Sequence, residues 1–396
     1  MKTPYFLINQ KELNNNIQSF NLALHKYWTN SSLAYSIKTN SLPWLLEYLC
    51  NRDIIGEAVS REEYDLAILC GFEGNKIIFN GPIKTEEDLN KAFKNESIIN
   101  IDSQREVDYL VKKKPHHSGN LGVRINVNPK EFSVTDIGFQ EDGFRFGFSL
   151  ENGMLKNAID SIQSVYGNKP FGLHLHCNSI TRSLEVYRSI AKYAVKIIKE
   201  FNLKPSFIDM GGGFFGGVPG KTTADEYIKE IANILKEVVD DNETKLIIEP
   251  GSAIIGSVVD LYTSVIDSKE TNFANIITTD GSRIHLDPLW KKNNYKYTIK
   301  SNAVGEKYEK QIICGYTCMD HDRIMCICDY PRLQEGDQIV YHRVGAYTMT
   351  FAGPFIKYFP EVYVLKENHE VHCVREHMQV DDYYHIHSFK EKNKYE

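Results

Sequence analysis

Short apolar runs alternate with longer amphipathic segments from residue 10 to residue 256. The runs are rich in β-branched and aromatic residues, which favours buried strands. The predicted strands are LAYSI (33–37), DIIGEA (53–58), KIIF (76–79), IINI (98–101), LGVRINV (121–127), FGLHLH (171–176), SFIDM (206–210) and LIIE (246–249). Because strands that alternate with helices form parallel sheets, these eight βα units predict a closed (β/α)8 barrel of the TIM type.

The segments between the predicted strands have the periodicity of helices that bury one face. Between residues 183 and 201, apolar residues recur at intervals of three and four, which predicts an outer-ring helix. A second helix is predicted after Thr223, whose side chain can form a capping box with Glu226.

The pattern changes after residue 256, where polar and apolar residues alternate and no long amphipathic helix is predicted. This alternation is typical of antiparallel strands. We therefore predict a barrel over residues 10–256 and an all-β domain over residues 257–396. The opening PYFLIN predicts one more strand, so residues 1–9 are expected to join the β domain.

Charge and composition favour a small-molecule partner over nucleic acid or a membrane. The formal net charge of −6 gives no general attraction to either polyanion. We expect no secretory leader and no membrane-spanning segment, and therefore a cytoplasmic protein. The eight cysteines match no common zinc spacing and are expected to be reduced. No metal site is predicted, because the late histidines are expected to lie in a charged, alternating surface stretch; they are His369, His372, His377, His385 and His387.

Polar residues collect at the predicted carboxyl ends of the barrel strands, where TIM-type barrels carry their catalytic groups. Each residue alone has an ordinary explanation, such as a solvated lysine, a satisfied histidine or a glycine turn. Their common placement on one rim predicts a functional site. The rim residues are Lys38, Glu57, Asn80, Arg124, His174, His176, Gly211, Gly212, Gly213 and Glu249.

This set of groups fits pyridoxal 5'-phosphate, which has an aldehyde, a phosphate and a basic ring nitrogen. Lys38 is predicted to form a Schiff base with the aldehyde. The glycine loop GGGFFGG (211–217) is predicted to surround the phosphate with backbone N–H groups. Glu249 is predicted to face the ring nitrogen and keep it protonated, while His176 stacks on the ring and Arg124 lies beneath it.

Several motifs also resemble those of one enzyme family. YSIKTN (35–40) resembles the Tyr-Ala-x-Lys-Ala-Asn cofactor-lysine motif of the fold-type III pyridoxal-phosphate-dependent decarboxylases, which include diaminopimelate, ornithine and carboxynorspermidine decarboxylases. The similarity runs along nearly the whole chain. The other similar motifs are GEAVSREE (56–63), RFGF (145–148), GLHLHCNS (172–179), IDMGGGF (208–214), EPG (249–251), GYTCMDHD (315–322) and GAYT (345–348).

The resemblance implies an alanine racemase-like barrel with a C-terminal β domain, and decarboxylation at the α-carbon of an amino acid through a quinonoid. It further implies a homodimer whose active sites lie between the barrel of one subunit and the β domain of the other. Cys318, Asp322 and Tyr347 would act across that interface, with Cys318 as the proton donor after CO2 leaves. A cofactor-binding role is implied for Ser179 and Tyr347 as well as for the rim residues.

Three departures from the family pattern bear on the substrate. Ser252 replaces an arginine after EPG, and Met319 replaces an acidic residue that would meet a distal amine. Lys357 lies in FIKY (355–358), where the family commonly has Phe-Asn-Gly-Phe. The predicted substrate-contact residues are Met319, Asp322, Arg283 and Lys357. We predict a substrate other than free lysine, ornithine or meso-diaminopimelate, such as an amino acid conjugated to citrate, in siderophore or polyamine-type biosynthesis.

Three alternatives stay open at this point. The first is a diaminopimelate decarboxylase of lysine biosynthesis. The second is an amino-acid racemase on the same fold, which a glutamate at the ring nitrogen disfavours. The third is a non-catalytic relative that binds the cofactor, which the joint presence of Lys38 and Cys318 disfavours.

Overall fold

The computed structural model describes residues 1–292, 294–302 and 304–388, which divide into two compact units. The barrel unit comprises Asn14–Gly256, and the β unit comprises Met1–Leu13 with the described residues from Ser257 onward. The strand pairings confirm the predicted parallel barrel and a second unit made mostly of sheet.

The barrel closes because every strand pairs in parallel with its neighbours and the last strand pairs with the first. The chain enters it through β1 (Tyr5–Asn9) and α1 (Gln10–Tyr27). The strands of the barrel unit are β2 (Ser31–Ser36), β3 (Ile55–Ala58), β4 (Ile77–Phe79), β5 (Ile98–Ile101), β6 (Leu121–Asn126), β7 (Phe148–Ser149), β8 (Gly172–Leu175), β9 (Phe207–Asp209) and β10 (Lys245–Ile248). Of these, β7 pairs with β6 and lies outside the eight-stranded ring.

At five of the eight barrel strands the predicted carboxyl end lies one residue beyond the observed one, and three of these ends bear on the site. The first strand ends at Ser36, so Lys38 lies in a short 3-10 helix, Ile37–Thr39. His176 and Glu249 each lie one residue beyond a strand, because β8 ends at Leu175 and β10 at Ile248. Hydrogen bonding to the neighbouring strands stops at these points. The composition of a single strand does not show where its pairing stops.

Four helices of the barrel unit begin after a residue whose side chain caps them. Ser60, Thr85, Ser183 and Thr223 each accept a hydrogen bond from the backbone N–H of the third helical residue, which satisfies an unpaired donor. The predicted capping box of Thr223 with Glu226 is confirmed. The helices are α2 (Pro43–Cys50), α3 (Arg61–Leu69), α4 (Glu86–Lys94), α5 (Gln104–Lys113), α6 (Met154–Tyr166), α7 (Leu184–Glu200), α8 (Ala224–Leu235) and α9 (Ser252–Ile255), with 3-10 helices at Gly74–Lys76 and Pro129–Glu131.

A cluster of buried apolar side chains from six strands forms part of the barrel core. Its members are Ala34, Ile55, Ile78, Ile98, Phe207 and Ile247. A glycine makes room for the largest of them, because a Cβ at Gly172 would lie 2.2 Å from Cζ of Phe207.

The β unit contains a nine-stranded sheet in which β1 has a central position. It pairs antiparallel with β11 and parallel with β19. The other elements are β11 (Val259–Glu270), β12 (Asn275–Thr279), α10 (Arg283–Leu286), β13 (Lys296–Lys300), β14 (Lys307–Tyr308), β15 (Gln311–Cys314), β16 (Arg323–Ile327), β17 (Tyr330–Pro331), β18 (Gln338–His342), β19 (Glu361–Leu365), β20 (Val371–Arg375) and α11 (Val380–His387).

One part of the predicted alternation in this unit is wrong. His385 and His387 lie on α11, where Asp382 completes a capping box with Gln379, and no residue of this helix is buried. The capping box favours a helix here, and Tyr383 of this helix stacks on Tyr358. Within the described ranges, no helix has both the length and the apolar character needed to cross a bilayer.

Candidate active site

Lys38 ends in a tight group of polar atoms at the carboxyl end of the barrel. Its Nζ lies 2.6 Å from Oε2 of Glu57 and 2.6 Å from Oγ of Ser36, which also donates to Glu57. Glu57 is 1% exposed, whereas the Lys38 side chain is 39% exposed. Burial acts to raise the pKa of Glu57, but the Lys38 cation and three donated hydrogen bonds outweigh it and lower that pKa. The amine is thus held by a carboxylate yet open to a ligand.

Asn80 connects this group to the next carboxyl. Its Nδ2 donates to Oε1 of Glu57 at 3.1 Å and to Oε1 of Glu249 at 2.8 Å. Its Oδ1 accepts from Nδ2 of Asn100 at 2.8 Å, which fixes which side of the amide faces the carboxyls. Both asparagines are buried. A continuous set of hydrogen bonds therefore runs from the Lys38 amine to Glu249.

Glu249 shares its buried surroundings with a second acid, Asp209. Burial, and then the charges of Asp209 and Glu57, raise the pKa of Glu249 well above its usual value. Burial also raises the pKa of Asp209 to about 7, although the backbone N–H of Gly211 donates to it at 2.9 Å. Two acids in contact in a dry site cannot both ionise cheaply, so the pair retains a proton near neutral pH.

His174 lies beside this acid pair, with Nε2 3.8 Å from Oε2 of Glu249. Burial and then the nearby Arg124 cation lower the pKa of His174 well below its usual value, so the ring is neutral. Among the described residues, His174, Asp209 and Glu249 are the one group of at least three possible metal ligands, with ligand atoms within 4.8 Å of one another. Asn80 and the Gly211 N–H already use oxygens of the two acids, which favours a proton-sharing role over a metal site.

The backbone conformation of the glycine loop leaves little room for side chains. Gly211 and Gly213 have φ of +61° and +92°. A Cβ at Gly211 would lie 2.6 Å from Cβ of His176, and one at Gly212 would lie 2.4 Å from the backbone oxygen of Glu249. The Tyr187 hydroxyl donates to the Gly212 carbonyl at 3.0 Å, so this backbone oxygen already has a hydrogen-bond partner.

The loop also has cations near it, as binding of a phosphate requires. The side chains of Arg182 and Lys221 each lie 5.4 Å from the ring centre of Phe215, which belongs to the loop. Ser252, which replaces the expected arginine, begins α9. Lys221, beside the glycine loop, can supply the charge of the missing arginine. The residues present fit pyridoxal phosphate: an amine on a carboxylate, an acid that keeps a proton, and a glycine cradle with cations.

His176 retains some exposed surface at the site while packing against Gly211. Burial, followed by the charges of Arg124 and Lys38, lowers the pKa of His176 to about 3. A neutral, flat ring is suited to stack on another aromatic ring. The predicted stacking role of His176 therefore fits its environment and stays a prediction.

Arg124 and Ser179 have structural partners in addition to their predicted roles. Nη1 of Arg124 pairs with Oδ2 of Asp102 at 3.0 Å, whose other oxygen accepts from the Gly147 N–H. Nε of Arg124 is buried without a hydrogen-bond partner. Ser179 accepts from the backbone N–H of Arg182 at 2.8 Å and so shapes the loop after β8.

Three of the site residues predicted in the β unit are exposed. Cys318 is exposed, and Tyr347 is 36% exposed with a φ of +57°. Lys357 is exposed and its Nζ lies 4.6 Å from the ring centre of Tyr316. Met319 is half-buried.

Asp322 and Arg283 are brought together, but each is engaged within the protein. Asp322 is 2% exposed and accepts hydrogen bonds from Ser282, the backbone N–H of Arg283, and both N–H and Oγ of Thr317. A carboxylate has about four hydrogen-bond acceptor sites, and Asp322 accepts four hydrogen bonds within the protein. This environment favours a structural role for Asp322. The Arg283 guanidinium pairs with Asp287 at 3.0 Å.

Asn100 and Asp209 were not predicted as site residues, and Asn80 was predicted on the rim without a role. The available signal was a polar residue inside an otherwise apolar strand, as in IINI and SFIDM. A buried polar group in such a strand needs a partner, and here the partners are one another. Asn100 Nδ2 lies 3.4 Å from Oδ2 of Asp209.

Comparison with known proteins identifies a family and several relatives. Residues 11–256 match the family described as pyridoxal-dependent decarboxylase, pyridoxal binding domain. A probable chloroplastic diaminopimelate decarboxylase of Oryza sativa subsp. japonica is 25% identical over 388 residues, which cover 96% of this chain and 79% of that protein. The diaminopimelate decarboxylase of Bacillus subtilis (strain 168) is 24% identical over 388 residues, covering 94% and 88%.

The fold is shared with a solved structure. The crystal structure of diaminopimelate decarboxylase from M. jannaschi matches with a TM-score of 0.82 at 23% identity, covering 99% of this chain and 93% of that one. Because the family match spans more than half of the chain, and the barrel carries a lysine, an acid and a glycine loop that fit the cofactor, the chain belongs to the pyridoxal-phosphate-dependent decarboxylases.

Proposed function

We propose that this decarboxylase removes the α-carboxyl group of an amino acid that carries a second carboxylate at its far end. The observation that carries the reaction is the continuous set of hydrogen bonds from the Lys38 amine through Glu57 and Asn80 to the proton-retaining Glu249. This arrangement places an amine and a proton-retaining acid together at the carboxyl end of the barrel.

Pyridoxal phosphate, when bound, supplies an electron-accepting ring for the electron pair left as CO2 departs. Lys38 would hold the cofactor covalently between turnovers, and Glu57 with Ser36 would take and return protons at its Nζ. The glycine loop would bind the phosphate, and His176 would cover one ring face.

Glu249 supports decarboxylation over racemisation. Its raised pKa in the cofactor-free protein reflects burial beside other acids, so it would gain a favourable partner in a basic ring nitrogen. A glutamate that keeps the ring nitrogen protonated strengthens the electron-accepting ring. The racemase alternative lacks such support from this site.

The homodimer and the roles of Cys318 and Tyr347 are also part of the proposal. Cys318 is exposed and can donate a proton. Both properties suit a residue that acts in an active site completed by a second subunit. Apolar side chains near Tyr347 are exposed as well, including Phe351, Phe355 and Ile356 at 50%, 49% and 52%. Exposed apolar groups that lie together in sequence support an interface here.

Two classes of substrate satisfy the requirement for a distal carboxylate. The named relatives favour diaminopimelate, which carries an amine and a carboxylate at its far end. Met319 favours a conjugate, because a distal ammonium would lack the acidic partner that Met319 replaces. The exposed Lys357 cation, which lies on the Tyr316 ring, supports a distal carboxylate in either case.

The test is mass spectrometry of the cofactor-loaded protein in heavy water with meso-diaminopimelate, ornithine, lysine, carboxynorspermidine and citryl-conjugated amino acids. Loss of CO2 with one deuterium at the α-carbon, for substrates with a distal carboxylate alone, is the expected result. Turnover of diaminopimelate would exclude our prediction of a different substrate, and turnover of a conjugate alone would support it. Deuterium uptake without loss of CO2 would indicate a racemase, and no reaction would favour a non-catalytic relative.

A further inference from the structure

Two cysteines at the end of β16 face each other on the surface of the β unit. Sγ of Cys326 lies 3.8 Å from Sγ of Cys328, and both residues are exposed. This pair lies outside the set of residues considered for the decarboxylase site. Their C-x-C spacing matches no common zinc pattern, and the sequence predicts reduced thiols.

The alternation of the strand explains why both thiols point to solvent. Ile327, between them, is 3% exposed and faces the core. Residues two apart on a strand lie on the same face, about 6.6 Å apart at the Cα atoms. Disulfides join Cα atoms about 4.4 to 6.8 Å apart, so the backbone spacing is at the wide end of the permitted range.

The chain leaves the strand directly after the pair. β16 ends at Ile327, and Asp329 has a φ of +51°, so Cys328 lies between a strand end and a turn. Cys326 is held by β15, where its pairing partner is Ile312. One thiol is therefore fixed and the other lies on a segment that can adjust, which allows the sulfurs to approach bonding distance.

We propose that Cys326 and Cys328 form a reversible redox site that closes to an intramolecular disulfide with a low-molecular-weight disulfide as the oxidant. One thiolate attacks a sulfur of the oxidant, which releases one thiol and leaves a mixed disulfide. The second thiolate then attacks the protein sulfur of that mixed disulfide and releases the other thiol. The protein loses two protons and two electrons, and the oxidant is reduced to two thiols.

The environment predicts that the site is readily reduced and that its closure depends on pH. Exposed, strained disulfides have less negative reduction potentials than structural ones, and a bond across two residues at the wide end of the range is strained. Burial, then the neighbouring Cys328 thiol, raise the pKa of Cys326, although the Lys310 cation acts in the opposite direction. Closure should therefore be faster at pH 8.5 than at pH 7.

The experiment uses the full chain loaded with its cofactor and equilibrated with reduced and oxidised glutathione at several ratios. After acid quenching and alkylation, trypsin releases residues 324–332, a peptide in which Cys326 and Cys328 are the only cysteines. We expect this peptide to be two hydrogens lighter than the reduced peptide. It should carry neither glutathione nor the alkylating agent. Addition of reduced glutathione should restore two alkylated thiols.

The controls separate closure from ordinary thiol oxidation. Cys328→Ser should leave a peptide that gains one glutathione and does not lose two hydrogens. Cys373, an exposed thiol on β20, should carry one glutathione in the same samples. The proposal is overturned if the wild-type peptide carries two glutathiones, or keeps two alkylated thiols at ratios that modify Cys373. The readout is peptide mass, so neither result depends on the enzyme's substrate or activity.

Discussion

Asn80 lies between Glu57 and Glu249 and donates a hydrogen bond to each. One amide thereby sets the orientation of the carboxylate that holds the Lys38 amine and of the acid predicted to face the cofactor ring. The two acids have opposite electrostatic requirements, since the pKa of Glu57 is lowered and that of Glu249 is raised. Asn80 can serve both because an amide donor stabilises an ionised carboxylate and also hydrogen-bonds a protonated one.

Replacement of Asn80 by alanine should destabilise the protein. Two buried carboxyl groups would lose a donor, which costs about 2 to 4 kcal/mol in total, the sum of typical values for one hydrogen bond to a charged group and one to a neutral group. Urea denaturation of the cofactor-free protein measures the free energy of unfolding. The kcat of the loaded enzyme should also fall, because the orientation of Glu249 is lost.

The matched control for that measurement is Asn242→Ala. Asn242 also donates its side-chain amide to a carboxylate, that of Asp240, but on the surface. Its replacement should change the free energy of unfolding by less than about 0.5 kcal/mol. Equal effects of the two replacements would show that the buried bridge adds nothing.

Replacement of Asp209 by asparagine should change how stability depends on pH. Because burial raises the pKa of Asp209 to about 7, the folded chain keeps a proton that the unfolded chain releases above about pH 4. The stabilisation from this group is therefore complete below pH 4 and is lost as pH rises to about 7. Relative to Asp209→Asn, the wild type should lose up to about 1.4 kcal/mol more per pH unit in that range.

The comparison of these two proteins isolates the acid. His174 is buried and His176 is half-buried, and both have lowered pKa values, so they favour stability that rises with pH, but they are present in both proteins. Asp108→Asn, which removes an exposed carboxylate on α5, should leave the slope as in the wild type. Parallel stability curves for wild type and Asp209→Asn would contradict a shared proton in the acid pair.

Alanine at Gly211 should weaken cofactor binding. A Cβ there would lie 2.6 Å from Cβ of His176, and the φ of +61° disfavours any side chain. We expect the Kd of pyridoxal phosphate to rise at least about tenfold, the equivalent of about 1.4 kcal/mol. Gly220→Ala is the control, because Gly220 has a φ of +74° but no atom within 4 Å of an added Cβ. A similar Kd for both variants would mean that backbone strain alone, and not the contact with His176, affects the loop.

The shared active site of the proposed homodimer can be tested by complementation. Lys38→Ala and Cys318→Ala should each be inactive, but an equal mixture allowed to exchange subunits should regain roughly a quarter of the wild-type activity. The gain arises because half of the dimers are mixed and each has one intact site. No recovery after verified exchange would place both residues in a site formed by one subunit.

Local and short-range features were predictable from the sequence, whereas partners distant in sequence were not. The capping box of Thr223 with Glu226 depends on three residues of spacing, and it is present. Asn80 and Glu249 are 169 residues apart, and their contact depends on the closure of the barrel and on side-chain direction. The composition of the sequence indicates that Asn80 needs a hydrogen-bond partner, but it does not identify which residue that partner is.

Substrate-facing residues were the hardest to predict for the same reason. Asp322 follows Cys318 in a motif that suggests ligand contact, yet its carboxylate is filled by Ser282, Arg283 and Thr317. Gly315 provides the room for this, since a Cβ there would lie 2.2 Å from Oδ2 of Asp322. The number of hydrogen bonds that a side chain already accepts can be read only from the folded chain.

The central claim is that Lys38 is the residue that holds the cofactor. Borohydride reduction of the loaded protein, followed by peptide mapping, identifies the lysine that carries the pyridoxyl label. We predict one label per chain, on Lys38, and none in Lys38→Ala. A label on another lysine, such as the buried Lys84 or Lys221 beside the glycine loop, would contradict it.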